Sequence, residues 1–272
     1  MKQRIITAIV LLIVAIPVCF FSGTVVFPIA MAFIGVVGVY EMIGCMNKKE
    51  NVFAAAPLYG LAILTPFAVR YLGDFFRHNT FVILIALLIY ALYLLGLWVF
   101  SYEKNQEIDM NPILASTLVC LYIIGATSSI VIVRDLPFGE FYWYFIFIGA
   151  WITDTFAYFT GMLLGKHKLI PNVSPKKTVE GSIGGTIFCM IFFVGYALII
   201  NHFTDADLSL ILVAGAGLVS ALVSQIGDLS MSVIKRTHGI KDYGKIFPGH
   251  GGVLDRFDSI LAVAIVMALF LA

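Results

Sequence analysis

The chain has 272 residues, of which 61% are apolar and only 12% charged, with a mean hydropathy of +1.00 and a net charge of +1. An average soluble domain carries about a quarter charged residues, and one core of this size cannot hide so much apolar surface. A water-soluble domain and a disordered chain are both excluded, which leaves a protein that crosses a membrane many times.

A bilayer-crossing helix needs about 20 apolar residues. Nine stretches qualify, over 4–21, 24–46, 53–73, 79–100, 112–133, 141–165, 182–201, 208–234 and 253–272. The first follows Lys2 and Arg4 in the manner of a secretory leader, but no small-x-small cleavage site follows it, so a retained helix is expected. The runs are rich in Leu, Ile, Val, Phe and Ala without ten-residue alternation, which favours helices over a barrel. The expected fold class is therefore all-α, a polytopic integral membrane protein with about nine transmembrane helices in one domain over 1–272. Residues 1–140 read as scaffold helices, and 141–272 as the helices and loops that carry the chemistry.

Nine spans put the termini on opposite sides, and Lys and Arg should collect on the cytoplasmic one. Lys2, Arg4, Lys48, Lys49, Lys104, Lys166, Lys168, Lys176, Lys177, Lys235, Arg236, Lys241, Lys245 and Arg256 fall on one side, 14 of the 17 basic residues. Arg70, Arg77 and Arg134 fall on the other. The bias predicts a cytoplasmic N-terminus and a site that faces the cytoplasm. Cys19, Cys45, Cys120 and Cys189 lie in or beside apolar runs with no Cys-x-x-Cys pair, so they read as small apolar side chains and not as a zinc site.

Carboxylates inside apolar spans are the first chemical signal. Asp154 lies in the sixth span, Asp228 in the eighth, and Asp255 at the start of the ninth. A charge deep in a bilayer costs about 2.5–3.5 kcal/mol, so it has a partner or a function. A helix-to-helix hydrogen bond would explain one such Asp; three at compatible depth suggest a shared pocket. Ser224, Asp228 and Lys235 share a helical face, as do Asp154 and Tyr158, and Asp255, Asp258 and Ser259 share another. Carboxylates at a membrane boundary suit Mg²⁺, which binds one or two carboxylates together with substrate phosphates.

Two connections, 166–181 and 235–252, mix lysines with glycines and prolines and read as ordered, turn-rich loops. With Arg256 they carry nine basic residues, and once Glu180, Asp242, Asp255 and Asp258 are subtracted the local charge is about +5, a field that attracts polyphosphates. Positive-inside bias alone would explain such lysines, but not their interleaving with Gly, Pro, His and Asp. Gly249, His250, Gly251 and Gly252 lead into the ninth helix, where glycines admit a phosphate to free N–H groups. His250 is open to three roles: phosphate donor, acid-base group or loop hydrogen bonder. Asp255 in the first turn is equally a dipole-stabilising residue. No P-loop motif and no G-x-S-x-G element is present.

The run from Ser232 through Lys235, Arg236, Lys241, Asp242, Gly244, Phe247, Pro248, His250, Gly251, Gly252, Asp255 and Arg256 to Asp258 resembles the signature of the phosphatidate cytidylyltransferase family, with no departure across 27 residues. A second block is similar to the family as well: Asp154, Ala157, Tyr158, Gly161, Gly165 and Lys166, then Ser174 to Thr178, Glu180, Gly181, Gly184 and Gly185. The resemblance covers roughly 150–260; residues 1–140 match only in being hydrophobic. It implies transfer of the cytidylyl group of CTP to phosphatidic acid, giving CDP-diacylglycerol and pyrophosphate, with Mg²⁺ and with a second cation as an option. It also implies a multi-pass protein of the bacterial inner (plasma) membrane. Asp228, Asp255 and Asp154 are the expected metal ligands. Asp228, Asp255, Lys235 and Arg256 are the expected catalytic set, while Ser174, Lys176, Lys177, Ser224, Ser232, Arg236, Lys241, His250, Gly251 and Gly252 are expected to bind substrate. CTP, phosphatidic acid and the bilayer are the expected partners, with no nucleic acid. A homodimer is a further option through small residues at Gly35, Gly38 and Gly181 to Gly185. The competing readings are a CTP-dependent polyprenol or phytol kinase and an ion-coupled transporter.

Overall fold

The computed structural model describes residues 2–46, 52–78, 89–90, 92–95 and 110–271. Most of the expected fourth span over 79–100 lies outside these residues, as do Lys48, Lys49 and Lys104. The apolar runs form long helices: α1 (Lys2–Phe20), α2 (Val26–Met46), α3 (Val52–His78) and α4 (Met110–Asp135). A single turn, α5 (Gly139–Tyr142), precedes α6 (Tyr144–Leu164); α7 (Val179–Phe203), α8 (Leu210–Thr237) and α9 (Leu254–Leu271) follow. Six described segments are long and apolar enough to cross a bilayer: Val26–Met46, Phe53–Gly73, Asn111–Asp135, Gly139–Leu164, Val179–Phe203 and Leu210–Thr237. Helix α9 is not among them. It opens on Asp255, Arg256 and Asp258, so its first turns carry the charge of a site.

Between α6 and α7 the chain makes a two-stranded antiparallel hairpin, β1 (Lys168–Ile170) and β2 (Ser174–Thr178), paired Lys168 to Thr178 and Ile170 to Ser174. The turn-rich segment expected here is thus a strand pair held against the ends of two helices. Thr178 closes it: its hydroxyl accepts from the Gly181 N–H at 3.2 Å and caps α7.

The core has two apolar clusters. One joins Phe27, Ile130, Trp143, Phe145, Phe193, Val213, Val263 and Met267. The other joins Val39, Met42, Leu58, Ile123, Met231, Leu254 and Leu261. Helix α9 contributes to both, so it is the central post against which α4 and α8 pack. Helices α6 and α7 cross closely because small residues line the contact: a Cβ on Gly185 would lie 2.6 Å from the Thr153 carbonyl oxygen. The small residues considered for a homodimer are engaged within the chain. Gly181, Gly184 and Gly185 face α6, while Gly35 faces Thr127 and Ala62. All four cysteines are free.

Candidate active site

Helices α6, α8 and α9 bring Asp154, Asp228 and Asp258 together. At this level α8 and α9 nearly touch, since a Cβ on Gly227 would lie 2.6 Å from that of Ala262 and 3.0 Å from the Asp258 carbonyl oxygen. Asp258 lies within side-chain hydrogen-bonding reach of Asp228, and both sit in the field of Asp154. Asp154 accepts from the Ser259 hydroxyl at 3.2 Å. Among the described residues one cation is bonded to this group: Lys177 of β2 donates to Asp228, each side chain about a quarter exposed. Three carboxylates against one lysine leave a formal charge of −2. Among the described residues no three His, Cys, Asp or Glu side chains are grouped tightly enough to cage a metal by themselves. The donor set still fits Mg²⁺, whose sites use one or two carboxylates and complete the shell with water and phosphate oxygens.

One turn earlier on α9, Asp255 is in a different state. Its Oδ1 accepts from Lys235 Nζ at 2.7 Å, and its Oδ2 accepts from the Tyr243 N–H at 2.8 Å and the Gly252 N–H at 2.9 Å. The Asp255 and Lys235 side chains are 5% and 11% exposed. Asp255, expected as an open metal ligand, therefore has both oxygens engaged in holding the 238–253 loop and Lys235. Asp258, three residues on, faces Asp228 in its place. Lys235, expected on one face with Asp228, points instead to Asp255 and lies 5.3 Å from the Tyr243 ring centroid. Tyr243 donates to the Met231 carbonyl at 2.8 Å. Burial first, then Cys45 and the nearby carboxylates, push its hydroxyl pKa up, so it remains a donor.

The loop that enters α9 is tightly internally bonded. Arg256 Nε and Nη2 both donate to the His250 carbonyl, at 2.7 and 2.5 Å, so Arg256 acts first on the loop. Gly251 takes a left-handed φ of 89°, and Phe247 and Gly251 form an isolated bridge. The N–H groups of Gly252, Val253 and Leu254 are already occupied by carboxylates, Asp255 for the first and Glu41 for the other two. The helix start expected to receive phosphate thus holds resident anions. Lys176 and Lys241 are exposed, as is Arg236, which reaches the Ile240 carbonyl at 3.4 Å. Ser174 and Ser232 are half-buried. Ser224, one turn from Asp228, is fully buried, and its hydroxyl and His250 Nδ1 lack a partner among the described residues.

Two residues were missing from the expected catalytic and metal sets: Asp258, which the sequence placed only on one helical face with Asp255 and Ser259, and Glu41, which it did not single out. An acidic side chain within an otherwise apolar span was the available signal for Glu41. An open cavity of about 390 Å³ lies at the opposite end of α2, lined by Thr24, Arg70, Arg134 and Asp135 among others. Its arginines are engaged in the fold: Arg70 pairs with Asp135 at 2.6 Å and donates to the Ser22 carbonyl at 2.8 Å, and Arg134 donates to the Ser22 hydroxyl at 2.9 Å.

The model of the Cytidylyltransferase family matches residues 2–272. The chain is 34% identical over 263 residues to a phosphatidate cytidylyltransferase of Staphylococcus haemolyticus, covering 97% of this chain and 96% of that one. It is similarly 36% identical over 265 residues to the protein of that name from Staphylococcus saprophyticus, and 33% identical to that of Staphylococcus aureus, each with the same coverage.

Proposed function

The chain belongs to the cytidylyltransferase family, and from that premise we infer that it is an enzyme that transfers the cytidylyl group of CTP to phosphatidic acid, giving CDP-diacylglycerol and pyrophosphate. The observation that carries the reading is the gathering of Asp154, Asp228 and Asp258 from three long apolar helices, with Lys177 on Asp228. One substrate is a lipid and the other a soluble polyanion, so the site must open to bilayer and water alike.

An oxygen of the phosphatidate phosphate attacks the α-phosphorus of CTP; the new P–O bond forms as the bond to the β-phosphate breaks, and pyrophosphate leaves. The nucleophile is already anionic, so no strong base is needed, and catalysis rests on positioning and charge stabilisation. Asp228 and Asp258, with Asp154 beside them, would hold Mg²⁺. Bound there, the ion neutralises the triphosphate and draws charge from phosphorus. Lys177, Lys176, Arg236 and Lys241 receive phosphate oxygens. Asp255 keeps Lys235 in place, and Arg256 holds the His250 loop.

The bias of 14 of 17 basic residues to one set of loops supports a cytoplasmic site, a cytoplasmic N-terminus and about nine spans in a bacterial inner membrane. The test is an assay in detergent with phosphatidic acid, Mg²⁺ and CTP labelled at the α-phosphate. Label in the lipid with release of pyrophosphate is expected. Folded protein that leaves CTP intact, or moves only the γ-phosphate, would overturn the reading.

A further inference from the structure

We propose that Glu41, from the half of the chain that read as scaffold, is a positioning residue for cytidylyl transfer. This rests on the reading above. Glu41 sits near the end of α2, 212 residues before the nearest backbone it binds, and is 2% exposed. Its two oxygens accept from the N–H groups of Val253 and Leu254 at 2.9 and 2.8 Å. Those groups open α9, where backbone donors lack partners within the helix and the dipole favours an anion. Glu41 thus caps α9 from another helix.

The loop is shaped around this carboxylate. A Cβ on Gly244 or on Gly252 would lie 2.2 Å from Glu41 Oε1, so both glycines leave room for it. The first turns of α9 carry Asp255, which holds Lys235, and Asp258, which faces Asp228. Fixing Val253 and Leu254 therefore fixes the position of both aspartates. A buried carboxylate at this depth has no need of solvent contact to do so, because its two acceptor oxygens meet two donors that would otherwise be unpaired.

The test compares wild type with Glu41→Gln, Glu41→Asp and Gly244→Ala, each normalised to folded protein. Gln keeps the shape but turns an NH₂ group toward one of the two N–H donors. The expected result is a kcat about 100-fold lower in Glu41→Gln, with the KM for CTP changed by less than about threefold. Glu41→Asp, one methylene shorter, should retain more of the rate than Gln. Amide hydrogen exchange at 253–254 should quicken about tenfold or more in Glu41→Gln. A kcat within twofold of wild type, or a lower kcat with unchanged exchange at 253–254, overturns the proposal. If Glu41→Gln fails to fold, Gly244→Ala displaces the same carboxylate from the loop side; it must lower kcat and speed the same exchange, and normal values for both overturn the proposal. If folded wild type transfers no cytidylyl group, the functional reading fails, and exchange at 253–254 still decides whether Glu41 holds α9.

Discussion

Two groups of carboxylates meet α9 one helical turn apart, at Asp255 and at Asp258, and they are treated in opposite ways. Asp255 and Glu41 are saturated: five donors, four of them backbone N–H groups, meet their four oxygens. Asp154, Asp228 and Asp258 are not: Asp228 takes Lys177, Asp154 the hydroxyl of Ser259 and Asp258 the N–H of Ser259. A saturated buried acid is part of the architecture, because removing it strands the donors around it. An unsaturated cluster with one lysine bonded to it among the described residues still has capacity for a cation and for phosphate. The difference assigns chemistry to the second group and support to the first, although all five sit in or beside the same helix ends.

The largest expected effect comes from the unsaturated group. Asp228→Asn or Asp258→Asn should lower cytidylyl transfer about 10³-fold, measured as initial rate of label entering lipid, while the thermal unfolding midpoint in detergent stays near wild type. Asp255→Asn should act chiefly on stability. It leaves Lys235 buried without its partner, so denaturant unfolding should show a loss of about 3–5 kcal/mol. Lys177→Met should reduce the rate about 100-fold, without the loss of stability seen for Asp255. At the other end of α2, about 22 Å from Glu41 by helical rise, Arg70→Ala should cost about 1–3 kcal/mol by stranding Asp135 and the carbonyls of Ser22 and Thr24. The rate per folded molecule there should remain within twofold of wild type. Thr178→Ala, which removes the cap of α7, should cost about 1 kcal/mol in the same unfolding experiment.

Much of this was legible in the sequence. The apolar runs located the described helices to within about five residues, as 26–46 for the expected 24–46, 52–78 for the expected 53–73 and 254–271 for the expected 253–272 show. Charge inside those runs singled out Asp154 and Asp228. Helical spacing was less decisive at α9. Asp255 and Asp258 differ by about 60° around the axis, close enough to count as one face in a sequence, yet the turn that separates them sends one to Lys235 and the other to Asp228. The pairing of Lys177 with Asp228 depends on a hairpin 51 residues away, which local spacing cannot supply. Glu41 illustrates the same limit: its partners lie 212 and 213 residues along the chain. The glycines before α9 were read as room for a phosphate, whereas Gly244 and Gly252 leave room for Glu41.

The most direct measurement is the initial rate of transfer of α-labelled CTP to phosphatidic acid by wild type, Asp228→Asn and Asp255→Asn, read beside the unfolding free energy of each. The expected result is a wild type that labels the lipid and releases pyrophosphate, an Asp228→Asn protein that is stable and nearly inactive, and an Asp255→Asn protein that is measurably less stable. A stable Asp228→Asn protein that retains the wild-type rate would contradict the assignment of the chemistry to the unsaturated carboxylates.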